Sequence, residues 1–179
     1  YIEKLKQAGI NWLGLGIENP DNILRKEVHK DSYKEVKIND VINTIRSHGI
    51  NPATNYIFGL PHEDSESLKF TLDFALSTNA EMVNLYCAMA YPGSPLYLDA
   101  KKNNIELPKT YSGYSQHSYD MQNLPSEKLS SAEIVKFRDE AWEKYHSNKT
   151  YLNLIEKKFG IKARNNIIDM TKIKLKRKL

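Results

Sequence analysis

The strongest constraint on the fold is an alternation of short apolar segments with amphipathic helical patterns in the first part of the chain. Residues 12–17, 53–58 and 82–89 are short and apolar, which is typical of strands buried in a parallel sheet. In residues 36–48 the apolar side chains recur with helical spacing, and Gly49 ends the pattern. Strands that alternate with helices in this way pair in parallel through right-handed crossovers. We therefore expect an α/β fold whose strands form part of a barrel or of an open sheet, with bare edges.

Capping residues predict where further helices begin. Asp64 or Ser65 caps a helix after the second strand, and Ser130 with Glu133 forms a capping box for a later one. After residue 107 the alternation of strands and helices stops. We expect three parts: βα units in residues 1–107, a helical extension in residues 108–161, and a basic tail in residues 162–179.

The net charge of +4 is unevenly distributed along the 179 residues. Residues 162–179 contain seven basic side chains and one acidic one, Asp169, so this segment carries +6 and the remainder of the chain −2. A basic terminal segment is usually a solvated, frayed end, and we expect no strong nucleic-acid interaction. No apolar run approaches the roughly 18 residues that a membrane span needs. The single cysteine, Cys87, is expected in the core; it excludes an internal disulfide and favours a reducing compartment such as the cytoplasm.

Glu18 follows the glycine-containing strand Gly14-Leu15-Gly16-Ile17 at the point where that strand is expected to end. Ligands of parallel α/β sheets bind at the carboxyl ends of strands, where a carboxylate could accept both hydroxyls of a ribose. A solvated acid after a buried strand is the alternative. A dinucleotide fingerprint would need glycine where Asn19 stands, and Pro20 follows, so that interpretation loses its main support.

Two further polar residues are candidates for a ligand site. Asn55 interrupts the apolar second strand and shares a face with Ile57, so it either finds an internal hydrogen-bond partner or lines a ligand site. Lys30 follows Glu18 by twelve residues and could reach an anion above the sheet, although an ordinary surface lysine is the alternative. The histidines show no metal-ligand spacing, and we expect no metal site from this chain alone.

Three motifs follow one another over the first hundred residues: residues 14–19 (GLGIEN), residues 55–61 (NYIFGLP) with Glu63 and Glu66, and residues 91–97 (YPGSPLY). In order and spacing they resemble the later part of the barrel of radical S-adenosylmethionine (SAM) enzymes. Residues 111–159 are more loosely similar to the C-terminal extensions of the branch whose members often carry a cobalamin-binding domain. The resemblance implies a partial (βα) TIM-like barrel with parallel strands and a C-terminal helical extension.

The resemblance also implies roles for particular residues. In this family the residues at the positions of Glu18 and Asn55 contact the ribose of SAM, and a cation near Lys30 pairs with the methionyl carboxylate. Gly59 and Pro61 would shape the loop beside the adenine. Some relatives have Gln, Asp and Arg at the three polar positions, so this chain keeps hydrogen-bonding character there but not identity.

The chain departs from the family at the cluster-binding loop. The Cys-x3-Cys-x2-Cys motif, whose thiolates hold a [4Fe–4S] cluster, is absent, and one cysteine cannot replace it. The resemblance therefore implies the C-terminal part of an enzyme whose cluster is bound by a segment outside this chain, and a fragment that is inactive alone. In the intact enzyme, SAM is cleaved reductively to a 5′-deoxyadenosyl radical. The Asp-x-His-x-x-Gly pattern of cobalamin binding is also missing, so cobalamin in the full-length protein is implied only by the loose similarity.

Two other classes of function stay open at this stage. A nucleotide-binding module without radical chemistry would use the same Glu18 and Asn55. A noncatalytic interaction domain would instead expose its sheet edges to a partner and would associate with itself. The sequence does not identify a substrate, whether small molecule, lipid or saccharide, and the tyrosines of residues 111–119 and His117 either pack on the sheet or face that substrate.

Overall fold

The computed structural model describes residues 1–25 and 37–178, and Lys30 lies outside these residues. Within the described ranges, helices and strands alternate up to residue 87 and helices follow. The strands are β1 (Trp12–Glu18), β2 (Asn51–Phe58) and β3 (Met82–Cys87). The helices are α1 (Ile2–Gln7), α2 (Asn22–Arg25), α3 (Ile38–Ser47), α4 (Ser65–Thr78), α5 (Pro95–Lys102), α6 (Ser131–His146), α7 (Lys149–Phe159) and α8 (Ile161–Thr171), with a 3-10 turn at Ser112–Tyr114.

In the described part of the chain the strands form one parallel sheet in the order β1-β2-β3. This confirms the predicted α/β fold, and an open parallel sheet of this kind is consistent with part of a TIM-like barrel. Gly16, Asn55 and Asn84 are aligned across the three strands. Because the three strands are parallel, their carboxyl ends lie at the same end of the sheet, and so do the loops that follow them.

The two faces of the sheet differ in burial. Ile17, Tyr56, Phe58 and Leu85 are buried under helices α3, α4, α6 and α7, in one apolar core. On the opposite face, Asn55 and Asn84 are half-buried and Gly16 is exposed. This confirms the prediction that Asn55 and Ile57 lie opposite Thr54, Tyr56 and Phe58. Among the described residues, Asn55 and Asn84 therefore lie on the less buried face of the sheet, where Leu24 of α2 packs near Ile57.

The amino-terminal end of β3 is fixed by buried ion pairs. The Glu81 side chain is 1% exposed; both its carboxylate oxygens accept from Arg46 Nε of α3 at 3.2 Å, and it also pairs with Lys158 of α7. Arg46 Nη1 donates to the Thr78 carbonyl oxygen at 3.2 Å, and Nη2 donates to that of Asn79. These contacts tie two helices and a strand together at the end of the sheet opposite the strand carboxyl ends.

Both predicted helix caps are confirmed. Asp64 accepts from Ser67 N at the start of α4, and Ser130 accepts from Glu133 N at the start of α6, each as a reciprocal capping box. Lys128 Nζ adds an ion pair to Asp64 at 2.9 Å. The cap of α4 therefore holds the segment before α6 against the loop that follows β2.

The Asp64 cap should make the stability of the fold depend on pH. Lys128 and the Ser67 backbone lower the pKa of Asp64 from 3.8 to about 2. Because the folded-state pKa is below the unfolded one, this stabilisation is complete above the unfolded pKa and is lost as pH falls through about 2. Asp64→Asn keeps the cap acceptor but not the charge. We expect its melting temperature to approach that of the wild type as the pH falls from 3.8 to about 2. Asp73→Asn, at an exposed position of α4, is the control, and a pH-independent difference for Asp64→Asn would contradict the assignment.

The basic C-terminal segment is not the frayed end that its composition predicts. Its first half forms α8, which packs on the core through Ala163 and Ile167. Further along, Arg177 forms two hydrogen bonds with Asp139, and Lys178 N donates to the Tyr119 carbonyl oxygen at 2.8 Å. Long-range contacts thus hold a segment that local charge alone assigns to solvent, and the three-part domain division stays a prediction. No helix in the described ranges is both long and apolar enough to cross a membrane.

Candidate functional site

Strand β1 ends in a strained turn at Glu18. Its φ is +62°, which is unusual for a residue with a side chain, and Asn19 N donates to the Ile17 carbonyl oxygen at 2.8 Å across it. The strand register shifts between Gly16 and Glu18, as in a β-bulge. Such a conformation costs about 1 to 3 kcal/mol and tends to occur at ligand sites. The strain marks the end of β1 as the first part of a candidate site.

Asn55 presents a donor beside this turn. Its Oδ1 accepts from Asn84 Nδ2 at 2.8 Å, so among the described residues its carbonyl group is engaged while its amide N–H groups can still donate to a ligand. In β1 the residue aligned with Asn55 is Gly16, which has no side chain, and a Cβ at Gly14 would meet nothing within 4 Å. Among the described residues, nothing fills the space over Gly14, which lies on the same face as Asn55.

Glu63 joins the loops that follow β1 and β2. Its carboxylate is fully buried and accepts from Gly59 N at 2.6 Å, Leu60 N at 2.9 Å and Asn19 Nδ2 at 2.7 Å. Asn19 Oδ1 in turn accepts from Asp21 N at 2.8 Å. One buried acid thus fixes the loop beside Glu18 relative to the loop that begins at Gly59.

Sequence reasoning placed Gly59 and Pro61 in a loop that shapes the site but assigned no role to Glu63. Gly59 has φ +86°, and a Cβ there would lie 2.9 Å from two carbons of Ile134. The Pro61 carbonyl oxygen accepts from Glu127 N at 2.8 Å, which connects the loop to the helical extension. The signal available for Glu63 was a glycine at a strand end followed four residues later by an acid, which lies between His62 and Asp64 in the sequence.

A cavity of about 570 Å³ lies at the carboxyl ends of β2 and β3. Its wall is mostly apolar, and Tyr86, Ser94 and Gln116 contribute polar groups. Neither Glu18 nor Asn55 lines it. The apolar part of the wall includes Ile57, Leu60, Ala88, Met89 and Leu96. Such a lining suits a flat, uncharged group.

The structure brings several of the predicted site residues to one end of the sheet. Glu18 is paired in register with Tyr56, the neighbour of Asn55, and strands lie about 4.8 Å apart. Gly59 and Pro61 follow directly after β2. Lys30 is outside the described residues, so its predicted contact is a hypothesis. The ligand-binding roles of the other four residues are predictions that the geometry accommodates.

Of the aromatic residues between positions 111 and 119, Tyr114 packs on the core and stacks with Tyr91 at a centroid distance of 6.1 Å, whereas Tyr111 is 95% exposed. His117 lines a second cavity of about 520 Å³ between α6 and residues 170–175. Burial, together with the charges of Arg138 and Arg177, lowers the pKa of His117. This histidine therefore lies away from the strand-end cavity.

An iron-sulfur cluster does not fit the residues present. Cys87 is the one cysteine in the sequence and is buried in the core, as predicted. Burial raises the pKa of its thiol to about 11, which opposes the thiolate form that binds metal. Within residues 1–25 and 37–178, no group of three His, Cys, Asp or Glu side chains could hold a metal ion.

In α/β proteins with an open parallel sheet, ligands bind at the carboxyl ends of the strands, which is where this chain has the strained Glu18. The family model of the Radical SAM superfamily matches residues 1–75, in agreement with the resemblance that the sequence motifs indicate. The chain is 29% identical over 96 residues to the hopanoid C-2 methylase of Rhodopseudomonas palustris, and this match covers 54% of this chain and 18% of that protein. It is 26% identical over 163 residues to the heme chaperone HemW of Bacillus subtilis, and this match covers 90% of this chain and 42% of that protein.

An anaerobic coproporphyrinogen III oxidase of Cereibacter sphaeroides is 28% identical over 87 residues, covering 48% of this chain and 19% of that protein. The similar proteins thus include enzymes and a chaperone. The chain spans less than half the length of each of these relatives.

Proposed function

We propose that this chain is the C-terminal part of a radical SAM enzyme and that SAM binds at the carboxyl ends of β1, β2 and β3. A [4Fe–4S] cluster, bound by a segment outside this chain, would supply the electron that cleaves SAM to methionine and a 5′-deoxyadenosyl radical. The match of the Radical SAM family model to residues 1–75 supports the proposal, as does the limited share of its relatives that the chain spans. On this proposal the chain alone is inactive, because it has a single cysteine.

The observation that carries the proposal is the strained Glu18 at the carboxyl end of β1, one register position from Asn55 in the neighbouring strand. A carboxylate accepts hydrogen bonds, whereas the remaining groups of Asn55 donate them. A hydroxyl can satisfy both, since it donates to one partner and accepts from the other. The vicinal hydroxyls of a ribose suit this pair, and a Cβ at Gly14 would meet no described residue within 4 Å.

The remaining parts of SAM fit around this ribose site. The cavity beside Ile57, Leu60 and Tyr86 has the apolar lining that an adenine ring needs, and Gly59 directly precedes Leu60 in the loop beside it. Lys30 would pair with the methionyl carboxylate. The chain's own residues on this proposal bind and orient SAM and keep water from the adenine; they hold no cluster.

A nucleotide-binding module without radical chemistry is the second candidate, and the single, buried cysteine favours it. The complete protein, reconstituted anaerobically with iron and sulfide and supplied with dithionite and SAM, distinguishes the two. Formation of 5′-deoxyadenosine supports the enzyme. SAM binding without this product in the reconstituted protein would support the module, and the visible absorption spectrum of the purified protein tests for cobalamin.

Replacement of Glu18 tests the site directly. In the complete protein we expect Glu18→Ala to weaken SAM binding by about 1 to 3 kcal/mol, or about 5- to 150-fold in Kd, because the ribose loses its acceptor. Glu18→Gly gives a similar loss but relaxes the backbone at φ +62°, so it separates the carboxylate from the strain. Glu3→Ala, in the first turn of α1, is the surface control. Calorimetric titration measures the affinities, and unchanged binding in both Glu18 variants would remove Glu18 from the site.

A further inference from the structure

The side chain of Gln116 takes the place of a neighbouring strand at the outer edge of β3. Its Oε1 accepts from Cys87 N at 2.9 Å, and its Nε2 donates to the Cys87 carbonyl oxygen at 3.0 Å. Gln116 is 9% exposed and lines the strand-end cavity together with Cys87. The outer wall of that cavity is therefore attached to the sheet through one amide.

The backbone of Gln116 is held by two arginines from distant parts of the chain. Its carbonyl oxygen accepts from Arg138 Nη2 of α6 and from Arg177 Nη1, the latter at 3.1 Å. Arg177 Nη1 also donates to the Ser118 carbonyl oxygen at 3.1 Å. Both arginine side chains are almost completely buried, at 3% and 6% exposure. Hydrogen bonds to buried charged groups are among the stronger ones in proteins.

Asp139 neutralises and aligns these arginines. Arg177 donates Nε to Asp139 Oδ2 at 2.9 Å and Nη2 to Oδ1 at 3.0 Å, while Arg138 Nη1 lies 2.9 Å from Oδ1. This two-pronged geometry fixes the plane of the Arg177 guanidinium, so that its remaining Nη1 points at the carbonyl groups of residues 116 and 118. A lysine at position 177 could not make both contacts at once.

We propose that Arg177 is a positioning residue that latches residues 115–118 onto β3 and so controls access to the strand-end cavity. The C-terminal segment thereby determines whether Gln116 stays paired with Cys87, although it lies 61 positions further along the chain. Loss of Arg177 leaves Arg138 as the one arginine on the Gln116 carbonyl in the described part of the chain, so the wall loosens locally while the core stays folded. Binding of part of SAM in this cavity rests on the proposed function. The latch rests only on the contacts of Gln116, Arg138 and Arg177.

Alkylation of Cys87 in the complete protein measures the latch. A closed wall buries the thiol, so iodoacetamide reacts when residues 115–118 lift away, and mass spectrometry of the tryptic peptide spanning residues 70–101 follows this one cysteine. We expect Arg177→Gln to accelerate labelling about 10-fold or more, the change that follows loss of a hydrogen bond to a buried charged group. Gln116→Met should accelerate it as well, because both hydrogen bonds to the Cys87 backbone are lost. Lys176→Gln, at the exposed neighbouring position, should label at the wild-type rate.

Hydrogen exchange in the same variants distinguishes local opening from general destabilisation. We expect faster exchange at residues 86–88 and 115–118 with unchanged protection of β2. Unchanged labelling in both variants, or a rise that is matched by equal loss of protection in β2, would overturn the latch. SAM should slow Cys87 labelling in the wild type. Absence of that protection would count against the proposed function, while the rates of the variants would still decide the latch.

Discussion

Replacement of Glu63 by alanine is expected to lower the free energy of unfolding by at least about 3 kcal/mol, because three buried donors lose their acceptor at about 1 to 3 kcal/mol each. The lost hydrogen bonds lie in the loops after β1 and β2. Because Glu63 connects these loops, we expect their loss to lower the stability of the whole fold. Glu63→Gln keeps one acceptor oxygen and should lose less. The carboxylate is fully buried, so solvent does not compensate for its removal.

Urea unfolding of the complete protein, followed by tryptophan fluorescence, measures this effect. Glu66→Ala is the matched control, because Glu66 is an exposed acid in the first turn of α4, three residues from Glu63. We expect it to change stability by less than about 1 kcal/mol, as most exposed substitutions do. A loss of that small size for Glu63→Ala would show that the loops do not depend on the buried acid.

Gly59→Ala should destabilise the protein by about 2 to 5 kcal/mol. At φ +86° an alanine costs about 1 to 2 kcal/mol of backbone strain, and its Cβ would lie 2.9 Å from Cδ1 and Cγ2 of Ile134, which adds an overpacking cost of about 1 to 3 kcal/mol. Ile134 is fully buried in α6 and has little freedom to move away. The end of β2 and the first turns of α6 are therefore expected to separate in this variant.

Gly93→Ala separates the two contributions. Gly93 has the same φ of +86°, but a Cβ there would meet nothing within 4 Å, so this variant should lose about 1 to 2 kcal/mol of backbone energy alone. In the Gly59→Ala background, Ile134→Ala should cost less than it does in the wild type, because it removes the collision. Equal losses for Gly59→Ala and Gly93→Ala in thermal unfolding would contradict the contact with Ile134.

The order of the first elements was predictable because it depends on local patterns. Apolar runs predicted β1, β2 and β3. The caps at Asp64 and Ser130 were recognisable because each side chain accepts a hydrogen bond from a backbone N–H in the first turn of the helix that follows it. The fold class follows from the alternation of these elements. Strand bounds differed slightly: β2 begins at Asn51 and β3 ends at Cys87, since pairing with neighbouring strands decides where a ladder starts and stops.

Parts of the site and of the C-terminal region were not predictable, because their partners are distant in sequence. Glu63 depends on Asn19, 44 positions earlier, and Arg177 depends on Asp139, 38 positions earlier. A run of lysines and arginines predicts solvent exposure, and nothing local indicates that one member is buried against an acid on α6. The left-handed conformation at Glu18 likewise arises from the register shift between β1 and β2.

The ion pairs of Arg46, Glu81 and Lys158 lie at the end of the sheet away from the candidate site. Replacement of the loops at the strand carboxyl ends leaves these charge pairs intact. A framework anchored at one end tolerates insertions and new side chains at the other, which is how one barrel architecture accommodates many chemistries. Because the buried Glu81 holds its ion pairs at the opposite end of the sheet, ligand-binding loops can change during evolution while the core stays the same.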